Sequence, residues 1–208
     1  MKRAAIFRDL IRVARRVGAE GLVIGASGNI SVRRGKTMLI KASGAWLEQA
    51  TAADFVAIPL ADAPAGGRGK RPSCEYRMHA ACYLARPDIT CVIHTHPLYA
   101  TLLVTCGLTV RAISPEFSLS IGSEPGFVRY QCPGTAGLAH SVGKCAAEHN
   151  VVYMKNHGLV AVGVSLDEAY MRTQLAEQLA KMHIIAALLK RRLPAIDSDE
   201  LRCQMARS

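Results

Sequence analysis

Aromatic side chains are scarce, 5% of the sequence with a single tryptophan. They do not interleave with basic residues as a base-stacking surface for nucleic acid requires. Cysteine pairs at CxxC spacing are absent. The seven cysteines (Cys74, Cys82, Cys91, Cys106, Cys132, Cys145 and Cys203) form an odd set, which argues against a disulfide framework or a zinc ribbon. Several stand in apolar contexts as small core residues, and a reducing cytoplasm is the simplest home for them. No apolar run is long enough to span a bilayer. No internal repeat is visible and no linker divides the chain. Carboxylates are fewer than basic residues, 16 against 26.

What is present is ordinary globular composition, half of it hydrophobic, with material for one core. A length of 208 residues fits one domain over 1–208, with 195–208 expected as a tail. The formal charge of +10 could serve nucleic acid. The basic residues, however, are scattered, with only small clusters at "RRGK", "GGRGKR" and "KRR". Such a balance also suits an enzyme that attracts small phosphorylated anions. Neither a nucleic-acid nor a membrane partner is expected.

Along the chain, Ile6, Leu10, Val13 and Val17 follow helical spacing, with Gly18 as the expected C-cap. An arginine-bearing start also fits a mitochondrial presequence, but Asp9 interrupts it and an ordinary first helix is the better reading. "GLVIGASGNISVR" turns into a strand, "RRGK" makes a hairpin into "TMLIKAS", and "FVAIPL" is a third strand. "ADAPAGGRGKRPS" reads as a loop. A helix is expected from an N-cap at Ser73, stopping before Pro87. After the "ITCVIHTH" strand and a helix through "ATLLVTCG", the stretch "VRAISPEFSLSIGSEPGFVRYQCPGT" reads as irregular. "TAGLAHSVGKCAAEH" reads as a helix and "NVVYMKNHGLVAVG" as two strands hinged at "NHG". A capping box of Ser165 and Glu168 opens the last helix. Hairpins mixed with helices predict an α/β fold with a mixed sheet.

The chemistry starts at "CVIHTHPLYA". Residues two apart in a strand share a face, so His94 and His96 project together. Two buried imidazoles side by side are costly unless something binds them. His157 stands at the bend in "KNHGLV", and Glu75 at the start of a helix in "PSCEYRMH". Three imidazoles and a carboxylate suit a tetrahedral Zn²⁺ or a related divalent ion such as Co²⁺ or Mn²⁺. His79, four residues after Glu75 on the helix, is either a neighbour of the ligands or a structural residue. His140, His149 and His183 read as surface or packing residues.

The sequence resembles the class II aldolase/adducin family. "GNISVR", "KASG", "RPSCEYRMH", "VIHTHP", "YQCPGT" and "NHGLVAVG" fall in that family's order across nearly the whole chain. The resemblance implies a single-domain three-layer α/β/α sandwich with a mixed, largely antiparallel central sheet. It implies Glu75, His94, His96 and His157 as ligands of one Zn²⁺ per subunit. It places a substrate phosphate among Gly28, Asn29, Ser43, Gly44, Ser73 and Cys74. Backbone N–H groups, hydroxyls and a helix N-terminus favour an anion there. Cys74 departs from the family, which carries a second serine, and a thiol is a poor donor.

The activity implied is reversible cleavage of a small phosphorylated ketose, like L-fuculose 1-phosphate, to dihydroxyacetone phosphate and an aldehyde through a zinc-stabilised enediolate. Glu75 would exchange the proton on the nucleophilic carbon, and Tyr130 in "RYQCPGT" would protonate the aldehyde oxygen. The resemblance also implies a cyclic homotetramer with active sites at subunit interfaces. A sugar-phosphate 4-epimerase, a sugar-acid phosphate decarboxylase and a non-catalytic adducin-like module are the alternatives. The last is disfavoured because all four ligand positions are filled.

Overall fold

The computed structural model describes residues 3–61, 69–122 and 124–196. Among these described residues, seven strands form one open sheet: β1 (Asn29–Arg34), β2 (Thr37–Lys41), β3 (Phe55–Pro59), β4 (Cys91–Thr95), β5 (Gly126–Val128), β6 (Val151–Met154) and β7 (Gly158–Gly163). Their order is β3-β2-β1-β4-β7-β6-β5. Only β5 and β6 pair in parallel; every other neighbouring pair is antiparallel. Six α-helices among the described residues accompany them: α1 (Arg3–Ala19), α2 (Tyr76–Ala85), α3 (Leu98–Thr105), α4 (Pro115–Ile121), α5 (Ala136–Ala146) and α6 (Leu166–Leu188). The three-layer α/β/α sandwich read from the sequence is the observed fold.

Alternation along the strands sorts residues between the two faces. Val92, Val160, Val162, Val152 and Met154 pack under α2 and α5. Ile93, Cys91 and Ile30 meet α1, while Leu159, Ala161 and Tyr153 meet α3, α4 and α6. On α1, Leu10, Val13 and Val17 are wholly buried, so that helix is held by its apolar stripe. Each such side chain contributes roughly 1.5–3 kcal/mol. Pro59 is tolerated because β3 is an edge strand. No described helix is long and apolar enough to cross a membrane. The six cysteines among the described residues are free.

Several local expectations need correction. The "VRAISPEFSLSIGSEPGFVRYQCPGT" segment contains α4 and the short β5. Ser114 stands at the N-cap with Pro115 in the first turn, a start signal whose prolines and glycines masked it. The helix after Pro72 begins at Tyr76 with Glu75 as N-cap; Ser73 lies outside it and accepts from the Glu75 N–H at 3.3 Å. Half of the expected capping box forms. Ser165 accepts from the Glu168 N–H at 3.1 Å, but Glu168 reaches the N–H of Val164 instead of that of Ser165. α5 stops at Ala146, leaving His149 in the following turn. The loop over 61–73 and the tail over 195–208 lie largely outside the described residues, though the Ile196 N–H donates to the Ala112 carbonyl at 3.1 Å.

Gly18 is inside α1, not a cap. A Cβ there would sit 2.5 Å from the backbone nitrogen of Glu48, so the bare Cα lets the helix touch that segment. Gly18→Ala should therefore destabilise the protein by about 1–3 kcal/mol, despite a helix-propensity gain of about 1 kcal/mol. Urea unfolding checks this, and an unchanged midpoint would mean that the Glu48 segment yields freely.

Candidate metal centre and its cleft

The centre is assembled by β4, the β6–β7 turn and the N-terminus of α2. His94 lies on β4 opposite Asn29 of β1 and Val160 of β7. His96 follows the strand, its N–H held by the Leu22 carbonyl at 3.1 Å. His157 is delivered by a tight turn in which Asn156 adopts φ 55° and the His157 N–H donates to Met154 at 3.2 Å. Glu75 is brought in by a short backbone pairing beside β2. The Ser43 N–H donates to Arg71 at 2.8 Å and the Ser73 N–H to Lys41 at 2.9 Å.

One backbone contact decides the electrostatics. His94 Nδ1 lies 3.0 Å from the Leu159 carbonyl oxygen, which can only accept. The proton of the neutral ring is therefore on Nδ1, and Nε2 presents a lone pair. That lone pair lies 2.9 Å from His96 Nε2 and 3.0 Å from Glu75 Oε2. His157 Nε2 is 3.1 Å from Glu75 Oε1, which accepts no other hydrogen bond among the described residues. One ligand atom from each of the four residues falls within 4.8 Å of the others. Converging lone pairs repel unless a positive charge sits among them, so this donor set fits a divalent cation.

Burial pushes Glu75 up, but positive charge at the His94 and His157 rings outweighs it and holds the carboxyl well below its ordinary range; a cation among neutral rings would act in the same direction. Burial, then the neighbouring His94 and His157, push His96 down to about 3, leaving it neutral.

His79 settles as a structural neighbour of the ligands. It is fully buried; Nδ1 lies 2.7 Å from the Ser31 hydroxyl and Nε2 is in short contact with Asn29 Oδ1. Asn29 Nδ2 in turn donates to Glu75 Oε2 at 3.0 Å. Burial above all pushes His79 down to about 3.

Above the cluster is a cleft of about 300 Å³. Gly28, Asn29, Ser43, Gly44, Ser73 and Cys74 all line it, together with Glu75, His96 and His157, while His94 lies fully buried beneath. The cleft also holds Lys41 and Pro133, which the sequence reading missed. Lys41 is 2% exposed, donates to the Ala26 and Ala45 carbonyls at 2.6 and 2.7 Å, and is pushed down to about 8 by burial. A lysine closing the apolar run "TMLIK" just before Ser43-Gly44 was the available signal. Tyr130 is not in this chain's cleft. It is 57% exposed at the start of the loop that carries Pro133. A roomier groove of about 520 Å³ between β5 and α5, bordered by Arg129, His140 and Lys144, contains no converging ligand set among the described residues.

The family model for the Class II Aldolase and Adducin N-terminal domain matches residues 8–184. An L-fuculose phosphate aldolase of Methanocaldococcus jannaschii is 29% identical over 88% of this chain and 98% of its own length. A 5-methylthioribulose-1-phosphate/5-deoxyribulose-1-phosphate aldolase of Escherichia coli is 31% identical over 97% of this chain and 93% of its own. Among solved structures, the l-fuculose-1-phosphate aldolase of Thermus thermophilus superposes with a TM-score of 0.81 at 26% identity, covering 93% of this chain and 100% of that one.

Two outcomes follow from the geometry. A Cβ on Gly158 would lie 2.2 Å from the Thr95 carbonyl and 2.8 Å from the His96 ring. Gly158→Ala should displace that ring and weaken metal affinity by at least about tenfold, read by competition with a chromogenic chelator. The second concerns acid. His79 has a folded pKa of about 3 against an ordinary 6.5, so between these values the unfolded chain binds more protons. Its contribution is complete above 6.5 and is lost as pH falls, by about 2 kcal/mol at pH 5, with His96 adding in the same direction. Urea unfolding of the chelator-treated protein at pH 7 and 5 should show this fall, and His79→Gln should show a shallower one.

Proposed function

Because the chain belongs to the class II aldolase and adducin family, we propose that it is a metal-dependent aldolase. It cleaves a small phosphorylated ketose reversibly to dihydroxyacetone phosphate and an aldehyde. The observation that carries this reading is the convergence of Glu75, His94, His96 and His157 at the floor of a cleft lined by anion-compatible turns. A divalent ion held there, most simply Zn²⁺, supplies Lewis-acid stabilisation of the negative charge that carbon–carbon cleavage leaves on the ketose oxygens.

The chain's own groups do the rest. Backbone N–H groups at Gly28 and Gly44, the hydroxyls of Ser43 and Ser73, and the N-terminus of α2 hold the phosphate. Asn29 and the buried ammonium of Lys41 add to the same wall, and Cys74 contributes through its backbone. Glu75 exchanges the proton on the carbon that becomes nucleophilic. Tyr130, exposed in its own chain, reaches the cleft of a neighbouring subunit and hands a proton to the aldehyde oxygen. This requires a homotetramer with sites at its interfaces, where water is excluded but substrate can enter. The free thiols fit a cytoplasmic enzyme. The compounds for which the two sequence relatives are named, L-fuculose phosphate, 5-methylthioribulose 1-phosphate and 5-deoxyribulose 1-phosphate, are the first to assay.

Purified protein should hold about one divalent ion per chain, and His96→Ala should lose both metal and activity. Full metal in that variant would sink the ligand assignment. Glu75→Gln should lower turnover by roughly 100-fold or more; release of dihydroxyacetone phosphate is the readout. An epimerase would instead isomerise a pentulose phosphate without releasing it, and a decarboxylase would liberate carbon dioxide from a sugar-acid phosphate. Co-refolding Tyr130→Phe with Glu75→Gln chains should restore part of the activity, because some interfaces then join two intact halves. Confirmed mixed oligomers without recovery would remove Tyr130 from a shared site.

A further inference from the structure

A chain of hydrogen bonds runs from the interior of α2 to one oxygen of Glu75, and its direction is fixed by chemistry. Tyr83 OH and Ser31 Oγ are 2.7 Å apart, and Ser31 Oγ is 2.7 Å from His79 Nδ1. His79 Nε2 meets Asn29 Oδ1, and Asn29 Nδ2 meets Glu75 Oε2 at 3.0 Å. An amide oxygen only accepts, so His79 must carry its proton on Nε2. Nδ1 then accepts from Ser31, whose own oxygen accepts from Tyr83. Every proton in the row has one consistent place.

The opposite tautomer is not equivalent. A lone pair on His79 Nε2 would turn the Asn29 amide over, bringing its oxygen against the Glu75 carboxylate. The ring at 79 therefore decides whether Glu75 faces a donor or an acceptor. The two carboxylate oxygens are left unequal: Oε2 receives the Asn29 hydrogen bond, while Oε1 receives no amide or backbone hydrogen bond and has the His157 ring nitrogen beside it at 3.1 Å.

We propose that His79 is a positioning residue. Acting through Asn29, it locks the Glu75 carboxylate with Oε2 hydrogen-bonded and leaves Oε1 as the oxygen that exchanges the substrate proton. This rests on the reading of Glu75 as the base. In the condensation direction the C–H bond of the ketone phosphate breaks, its electron pair stays with the substrate, and the proton goes to Glu75 Oε1. In cleavage the same proton returns to carbon. Asn29 keeps one amide hydrogen for an anion, but its oxygen and other hydrogen are committed, so its replacement should depress turnover as well as binding.

The test compares His79→Leu, which removes the donor, with His79→Gln, whose amide nitrogen can replace Nε2–H. Exchange of the dihydroxyacetone phosphate C–H proton with deuterated solvent should slow roughly 10–100-fold in His79→Leu, with KM within about twofold, and His79→Gln should recover most of it. Equal losses in both variants with a lowered melting temperature, or a normal exchange rate in His79→Leu, would overturn the proposal. A second measurement needs no activity. In metal-free protein with ¹⁵N-labelled histidine and asparagine, His79 should be the Nε2–H tautomer, and the Asn29 amide signal should move in His79→Leu. A Nδ1–H ring would overturn the proposal even in an active enzyme. If the wild-type protein processes no ketose phosphate, the aldolase reading fails, while the tautomer still decides whether the row is oriented as described.

Discussion

The hydrogen bond from His94 to the Leu159 carbonyl is the contact on which the centre depends. It spans two neighbouring strands, β4 and β7, and fixes the ring's proton on the side away from the carboxylate. Without it, the ring could place a proton between itself and Glu75 and satisfy the cluster as a neutral network. With it, the His94 lone pair faces the Glu75 carboxylate across 3.0 Å, a repulsion that a cation held between them relieves. The sheet thus supplies more than a platform, since its register sets the charge that the pocket demands.

Packing makes that register firm. β4 is central, flanked by β1 and β7, and its apolar residues point alternately into the two helix layers. A slip by one residue would turn His94 toward the α1 side and bury Ile93 among polar groups. On the α2 side, the polar residues Asn29, Ser31, His79 and Glu75 occupy ground otherwise filled by Val92, Val160 and Val162. An unsatisfied group there would cost about 1–3 kcal/mol. Complete pairing along the row therefore favours one arrangement over its neighbours.

The sequence exposed the centre well because its ligands sit in short, recognisable contexts: a paired H-x-H in a strand, a histidine at a glycine-flanked bend and an acidic residue opening a helix. The layer architecture was equally legible from hairpin turns and helical periodicity. What escaped were relationships created by register. Nothing local in "GNISVR" or "RMHAAC" says that Asn29 and His79 share a bond, since β1 must first pair with β4 beneath α2. Lys41 was overlooked for the same reason, its burial arising from two turns folding over it. α4 was hidden by the prolines and glycines around it. Gly18 was misread because its neighbour, Glu48, is distant in sequence.

The strand order also governs how such a chain can mature on a ribosome. β7 is among the last strands synthesised, yet it inserts between β4 and β6. Until Gly158–Gly163 has emerged, the β4 edge that carries Cys91–Thr95 has no partner on that side. The half-made sheet therefore presents an open, apolar strand through the synthesis of α3, α4, β5, α5 and β6, a hazard of edge-to-edge association. His157 is likewise made late, so Glu75, His94, His96 and His157 come together only when the sheet's own middle closes.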